Sequence, residues 1–223
     1  MIPIYTGFDA REEIGWHAFT SSVMARASVQ VSFAPLSGQQ RDGTNAFTYA
    51  RFRVPELQGH RGWAIFADGC DMVCLADVAE LWALRDDTKA VQVVQHDYKT
   101  RHPRKYVGTQ MEAMNADYPR KNWSSLMLMN CYHDAWKRLD LQTMTGPELH
   151  RFAFMFPDEV GSLPLEWNWL VNVYDTRPVQ QISNLHFTLG GPWFAGWPGG
   201  PYDDLFLNEE QIYRHWIQRG GRR

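Results

Sequence analysis

Residues 66–77 read FADGCDMVCLAD, an apolar run leading into acidic residues, with Asp68 and Asp71 three positions apart. Two carboxylates this close, just past a run suited to burial, repel one another unless a cation or a basic group lies between them. Their hard oxygens suit Mn2+ or Mg2+, ions that commonly hold the phosphates of a substrate. A divalent ion on a diphosphate also makes it a better leaving group, because it neutralises the charge that develops. The competing reading is that Asp68 and Asp71 only shape a turn, with Asp77 capping the helix that follows. Cys70 and Cys74 are interleaved with these acids. Together with Cys131 they make three cysteines, an odd number with no paired C-x-x-C. Neither a disulfide framework nor a structural zinc site is indicated, and the thiols read as small packed residues.

The elements that must position these groups follow an alternating pattern. IPIYTG is a short β-type run ended by Gly7. Residues 8–28 carry acidic residues in a first turn behind Asp9 as N-cap, then apolar residues at Ile14, Ala18, Val23 and Met24 with His17 among them, a helical spacing. VQVSFAPL is a second strand, so the chain opens β-α-β, the signature of a parallel sheet wrapped by helices. GWAIFAD is a third strand, DVAELWAL a helix and AVQVVQHD a fourth strand. WSSLMLMNC reads as a fully buried strand, HDAWKRL as the helix after it, and NEEQIYRHWIQRGGRR as a final helix with a basic tail. The predicted class is α/β, with a mostly parallel central sheet flanked by helices and a Rossmann-like N-terminal half. Ligands of such sheets sit beyond the carboxyl ends of the strands. Asp9, Asp68 with Asp71, and His96 with Asp97 all fall there.

At 223 residues and 44% hydrophobic, the chain can bury one substantial core, and residues 1–223 are expected to form one domain. The net charge of −3 gives no general pull toward nucleic acid or an anionic membrane. No apolar run approaches the roughly 20 residues of a spanning helix, and MIPIYTGFDARE lacks the order of a secretory signal, so a cytoplasmic protein is expected. Ten tryptophans suit a core or the walls of a ligand site.

Several segments, in chain order, resemble the nucleotide-sugar glycosyltransferases of the GT-A fold. They are most similar to the glycogenin-like and lipopolysaccharide-galactosyltransferase-like group of the family 8 type. FADGCDMVCLADVAELW resembles its metal-binding segment. Anchored on Asp77 and VAELW, Asp71 takes the second aspartate of the group's Asp-x-Asp, while Gly69 stands at the first and Asp68 lies one place early. IYTGFDAREEIGWHAFTSSV resembles the opening whose loop meets base and ribose, implying that Thr6, Gly7, Phe8 and Asp9 line the nucleotide site. FTYARFRVPEL resembles the arginine-bearing helix, implying a donor contact for Arg51. WSSLMLMNC takes the place of the Asn-Ala-Gly strand, with Ser124 and Ser125 near the donor sugar, and SLPLEWN resembles a Leu-Pro-x-x-Trp-Asn segment. NLHFTLGGPW resembles the late His-Phe-x-Gly-x-x-Lys-Pro-Trp motif. It implies His186 as a metal ligand and Gly190 and Gly191 at the diphosphate, but it contains no lysine. QHDYKTRHPRKYVGTQ and YPRKNWSS, with WNWL, look like a bacterial subgroup. Arg101, Arg104, Lys105, Arg120 and Lys121 are candidates to replace the lysine or meet an anionic acceptor, against the alternative of a solvated loop.

The resemblance implies a hexosyltransferase that moves a sugar from a UDP-sugar to a glycan or other acceptor with retention. It implies Mn2+ or Mg2+ held by Asp68, Asp71 and His186. Residues 1–100 would form the nucleotide and metal half, and 101–223 the acceptor side. No nucleophile stands out; Asp97, Ser124 and Glu159, with Asp158 beside it, are the candidates for a catalytic group, and His96 joins Asp97 as a candidate for the sugar pocket. Two rival readings are a nucleotide-sugar-binding protein or hydrolase, and a tryptophan-rich carbohydrate-binding module.

Overall fold

The computed structural model describes residues 1–38, 41 and 47–220, so part of the polar stretch before residue 47 and the end of the basic tail lie outside the described residues. The chain opens with β1 (Ile2–Gly7), α1 (Glu13–Arg26) and β2 (Val31–Leu36), followed by α2 (Val54–Leu57), β3 (Trp63–Ala67), β4 (Met72–Cys74), α3 (Val78–Ala83) and β5 (Val91–Val93). A hairpin of β6 (Arg104–Lys105) and β7 (Ala113–Met114) precedes β8 (Leu126–Asn130) and α4 (Gly146–His150). The chain then forms β9 (Val160–Ser162), β10 (Trp169–Leu170), β11 (Asn184–His186) and α5 (Asp203–Gly220). Among the described residues, no helix is long and apolar enough to cross a membrane.

The main sheet has the order β2-β1-β3-β8-β5-β9. Pairings β1–β2, β1–β3 and β5–β9 are parallel, and β8 alone runs against its neighbours β3 and β5. The reversal sets the start of β8 beside the end of β3, with Ala67 opposite Leu126. Strand periodicity fills both faces. Ala64, Phe66, Met127 and Met129 enter one core cluster with Val91 and Val93, and Ile65, Ala67, Leu126 and Leu128 enter the other with Ile2, Ile4 and Phe19. Side chains two apart share a face, so a run apolar at every position is covered on both sides. A small sheet, β10-β11-β4, carries a third cluster shared with Phe206 of α5.

Four elements differ from the sequence expectation. α1 buries Ala18, Phe19, Ser22 and Val23 but leaves Met24 exposed, because its inward stripe must meet both the main sheet and α5. Residues 123–125 form a 3-10 turn after left-handed Asn122, with φ 61°, so the strand starts at Leu126. HDAWKRL is a 3-10 stretch, Asp134–Arg138, capped by the His133 side chain, which accepts from the Ala135 N–H. The final helix starts at Asp203, ahead of the predicted start.

Candidate functional site

The carboxyl ends of β1, β3 and β5 and the start of β8 lie on one edge of the main sheet. Asp68 follows β3, and its N–H donates to the Ser125 carbonyl at 2.8 Å, just before β8. Gly69 then turns the chain at φ 80°, a conformation that glycine adopts without strain. A Cβ there would sit 3.2 Å from Thr6 Cβ. Asp71 leads into β4, which pairs antiparallel with β11, setting His186 opposite Met72. The Phe187 N–H closes this corner on the Asp71 carbonyl at 2.8 Å. Ligand atoms of Asp68, Asp71 and His186 therefore come within 4.8 Å of one another. The Asp-x-x-Asp spacing is accommodated by the left-handed glycine between its acids. α1 packs directly on this turn at Gly15, where a Cβ would stand 1.7 Å from the Cys70 carbonyl oxygen.

The imidazole of His186 is oriented from behind. Asn168, fully buried, donates through Nδ2 to Ser125 Oγ at 2.8 Å and to the Asn122 carbonyl at 3.3 Å. Its Oδ1 is thus the acceptor for His186 Nδ1–H at 2.9 Å. Nε2 is left facing Asp71 Oδ2 at 3.1 Å, two lone-pair bearers that require a proton or a cation between them. Burial lowers the His186 pKa, but the Asp71 charge and hydrogen bond outweigh it and leave a net rise. Burial likewise raises that of Asp71, and His186 outweighs it to leave a net fall. Asp71 Oδ1 is buried with no hydrogen-bond partner among the described residues. Asp68 is pushed up to about 6, chiefly by burial, although Arg51 Nη1 lies 2.9 Å from its Oδ1. The guanidinium of Arg51 is itself buried against the rings of Phe47 and Phe66 and donates to the Ser124 carbonyl at 2.8 Å. Two carboxylates, one with an unpartnered oxygen, and an imidazole with its lone pair inward are a donor set that fits a divalent ion such as Mn2+.

Three contributors escape the sequence reading. Glu12 is buried and accepts from Trp193 Nε1 at 3.2 Å. Its pKa rises to about 8 through burial first, then the charges of Asp71 and Asp9. Nothing in the spacing separates it from exposed Glu13. Asn168 lies in the quoted SLPLEWN, where only its place in the motif marks it. Tyr106, left-handed at φ 54°, is buried with its ring edge-on to Phe194, 5.6 Å between centroids.

The remaining predicted site residues divide by what they touch. Thr6 is sealed and accepts from Trp16 Nε1 at 2.7 Å, so its hydroxyl supports the turn from within. Gly7 lies where a Cβ would stand 2.5 Å from the Phe47 ring, and Phe8 packs edge-on to Trp16. Asp9 caps the 3-10 turn Ala10–Glu12 and holds the Arg11 guanidinium, with Nη2 at 2.5 Å. Ser124 Oγ is 2.7 Å from His150 Nδ1, and Ser125 Oγ donates to the Asn122 carbonyl at 2.7 Å. Both serines are buried and hold the loop before β8, rather than facing an open site. Gly190 has φ 111°, and a Cβ there would stand 3.3 Å from Tyr106 Cδ1, while one on Gly191 would meet the Trp193 ring at 2.1 Å. Beyond β5, His96 Nδ1 meets Tyr174 Oη at 2.7 Å, and its pKa falls to about 3 through burial and then the nearby His186. Asp97 beside it is exposed.

Glu159 and Asp158 are not brought to the site. They precede β9, whose parallel pairing sets Val160 beside Val91, so both acids lie at the opposite edge from His96 and Asp97. Glu159 pairs there with Arg138. Of the five basic candidates, Arg104 pairs with Glu112, Arg120 donates to the Arg151 carbonyl at 2.8 Å, and Lys121 donates to Asn115 Oδ1 at 2.7 Å. Arg101 is exposed, and Lys105 is half-buried toward the acidic cluster. The indole N–H groups of Trp16, Trp123, Trp136, Trp193 and Trp197 donate to internal partners, as walls and core do and as an exposed stacking platform does not. All three cysteines are buried and free.

Residues 17–193 match the family model described as glycosyl transferase family 8. The protein CDI of Arabidopsis thaliana is 38% identical over 228 residues, covering 94% of this chain and 86% of that protein. Among solved structures, galactosyltransferase LgtC in complex with donor and acceptor sugar analogues aligns with a TM-score of 0.61 at 12% identity, over 95% of this chain and 96% of LgtC. The apo bifunctional glycosyltransferase WbbM aligns at 0.62 and 14% identity, over 94% of this chain and 52% of WbbM, so the chain spans about half its length. The apo glycosyltransferase GlyE of Streptococcus pneumoniae TIGR4 aligns at 0.62 and 12% identity, over 98% of this chain and 64% of that one. Identities this low speak for a shared fold.

Proposed function

Because this chain belongs to glycosyl transferase family 8 and is a glycosyltransferase of GT-A fold, we propose that it moves a hexose from a UDP-sugar to a glycan or other acceptor, with retention of configuration and with Mn2+ or Mg2+ as cofactor. The observation that carries the reading is the cluster of Asp68, Asp71 and His186, with Asp71 Oδ1 unpartnered and the His186 lone pair turned inward. These three side chains would hold the ion, which when bound neutralises charge developing on a diphosphate leaving group.

The chain's own residues carry the rest. Asn168 holds His186 in the tautomer a ligand needs, and Arg51 steadies Asp68 while keeping two of its guanidinium nitrogens unpartnered. Gly190 and Gly191 let the backbone after β11 come close to whatever the ion holds, since side chains there would meet Tyr106 and Trp193. Asp97 remains the candidate for a group acting on the sugar, as Glu159 lies at the far edge and Ser124 faces inward.

The test combines calorimetric titration of UDP in the presence of Mn2+ with product analysis using labelled UDP-sugars. The parent should bind UDP only with the metal, and Asp71→Ala and His186→Ala should each abolish that binding, while Cys70→Ala keeps it nearly intact. If both ligand variants bound UDP like the parent, the site would be wrong. If labelled sugar appeared only as free sugar across every acceptor mixture, the transferase reading would give way to a hydrolase.

A further inference from the structure

The β6–β7 hairpin is built against the acidic cluster, and its anchoring decides where each basic side chain points. The Tyr106 N–H donates to the Leu189 carbonyl at 2.9 Å, tying the hairpin to the segment after β11. The Tyr106 ring is buried against Phe194 and Gly190. On the outer side Arg104 pairs with Glu112, which also accepts from the Gly108 N–H at 3.0 Å. The Asn115 N–H bonds the Pro103 carbonyl at 2.9 Å, and Lys121 holds Asn115 from beneath. With Arg104 fixed outward and Tyr106 fixed inward, Lys105 between them has little freedom of direction.

Its ammonium lies 5.0 Å from the centroid of the Tyr106 ring. It acts electrostatically on Glu12, Asp68, Asp71 and His186 together, yet makes no ion pair within 4.0 Å among the described residues. A cation that faces several acids and pairs with none of them is left free to meet an anion brought to the cluster. A dianionic group bridging a divalent ion on one side and the ammonium on the other satisfies both, since each phosphate oxygen then meets positive charge.

Resting on the proposed donor, we infer that Lys105 is the residue of this chain that contacts the diphosphate of the nucleotide sugar, opposite the ion held by Asp68, Asp71 and His186. Two effects of opposite sign follow. In the free protein the ammonium repels a divalent ion; once the nucleotide is present it attracts the phosphates. A residue that merely braced the hairpin would weaken both kinds of binding or neither.

The experiment measures two affinities on the full chain, Mn2+ alone and UDP at saturating Mn2+, for the parent, Lys105→Met and Lys105→Arg. Lys105→Met should bind UDP about tenfold or more weakly, the worth of a charge-assisted hydrogen bond, while binding Mn2+ as tightly as the parent or more tightly. Lys105→Arg should recover most of the UDP affinity. Unchanged UDP binding by Lys105→Met, or loss of UDP and Mn2+ affinity together, would overturn the assignment while leaving the proposed function standing. A parent that binds Mn2+ but no UDP would overturn the donor reading and this assignment with it.

Discussion

Replacing Glu12 by glutamine isolates the most perturbed acid beside the site. The variant keeps an oxygen to accept from Trp193 Nε1 and removes only the ionisable proton. In the folded chain the Glu12 pKa is carried from 4.5 to about 8, by burial first and then by Asp71 and Asp9. At about 1.4 kcal/mol per pH unit this amounts to at most about 5 kcal/mol. The pKa is raised on folding, so between about pH 4.5 and 8 the native state keeps a proton that the unfolded chain has released. Stability is therefore fully present below the unfolded pKa and is lost as the pH rises through the folded one. Asp68 and His186, both raised, act in the same direction, while Asp71, lowered, contributes stability that is lost on acidification. Urea unfolding of parent and Glu12→Gln in EDTA should give similar free energies near pH 5. At pH 8 the variant should be more stable by several kcal/mol, raising its melting temperature by roughly 10 °C at about 2–4 °C per kcal/mol. Mn2+ should shrink the difference, since a cation near Asp71 favours the ionised form of Glu12. A variant with the parent's pH slope, or one less stable than the parent at pH 8, would refute the reasoning.

Gly15→Ala should be destabilising by about 3 kcal/mol or more, although alanine is the better helix former by about 1 kcal/mol. Its Cβ would stand 1.7 Å from the Cys70 carbonyl oxygen and push the Asp68–Asp71 turn off α1. A melt in which Gly15→Ala matched or exceeded the parent would show that the turn is free to move. Asn168→Ala removes the acceptor that fixes the His186 tautomer and should weaken Mn2+ binding by about 10–100-fold. Equal Mn2+ affinity in a folded Asn168→Ala protein would mean that Nε2 needs no such support.

Much of the fold is legible because its patterns are local. β1 follows from IPIYTG, the 3-10 turn that leads into α1 from the capping Asp9, and α3 from Asp77, whose side chain accepts from the Ala79 N–H. β8 shows where legibility stops. Its residues 126–129, LMLM, are apolar at every position and so announce burial on both faces, but such a run carries no direction, and its antiparallel placement depends on partners β3 and β5. The same limit explains Ser124 and Ser125, for which the family resemblance implies a place near a donor sugar and which the structure turns inward to His150, Asn122 and Asn168.

In the site, the residue types of Asp71 and His186 and the order of their segments suffice to suggest a pair, while their approach to 3.1 Å is made by the antiparallel pairing of β4 with β11. Asp68, one place out of the expected spacing, joins them because Gly69 takes φ 80°. Glu12 and Glu13 are chemically the same and adjacent; one turn of backbone buries the first against Trp193 and leaves the second in solvent. Five basic candidates follow β5, and the fold turns Lys105 toward the acids while Arg104, Arg120 and Lys121 find partners elsewhere. Composition, periodicity and motif order thus determined by themselves which elements form and which chemistry is present, since these depend on neighbours along the chain. Which of several equivalent side chains meet was decided only by the tertiary structure, because strand direction, register and turn handedness bring together groups that lie far apart in sequence.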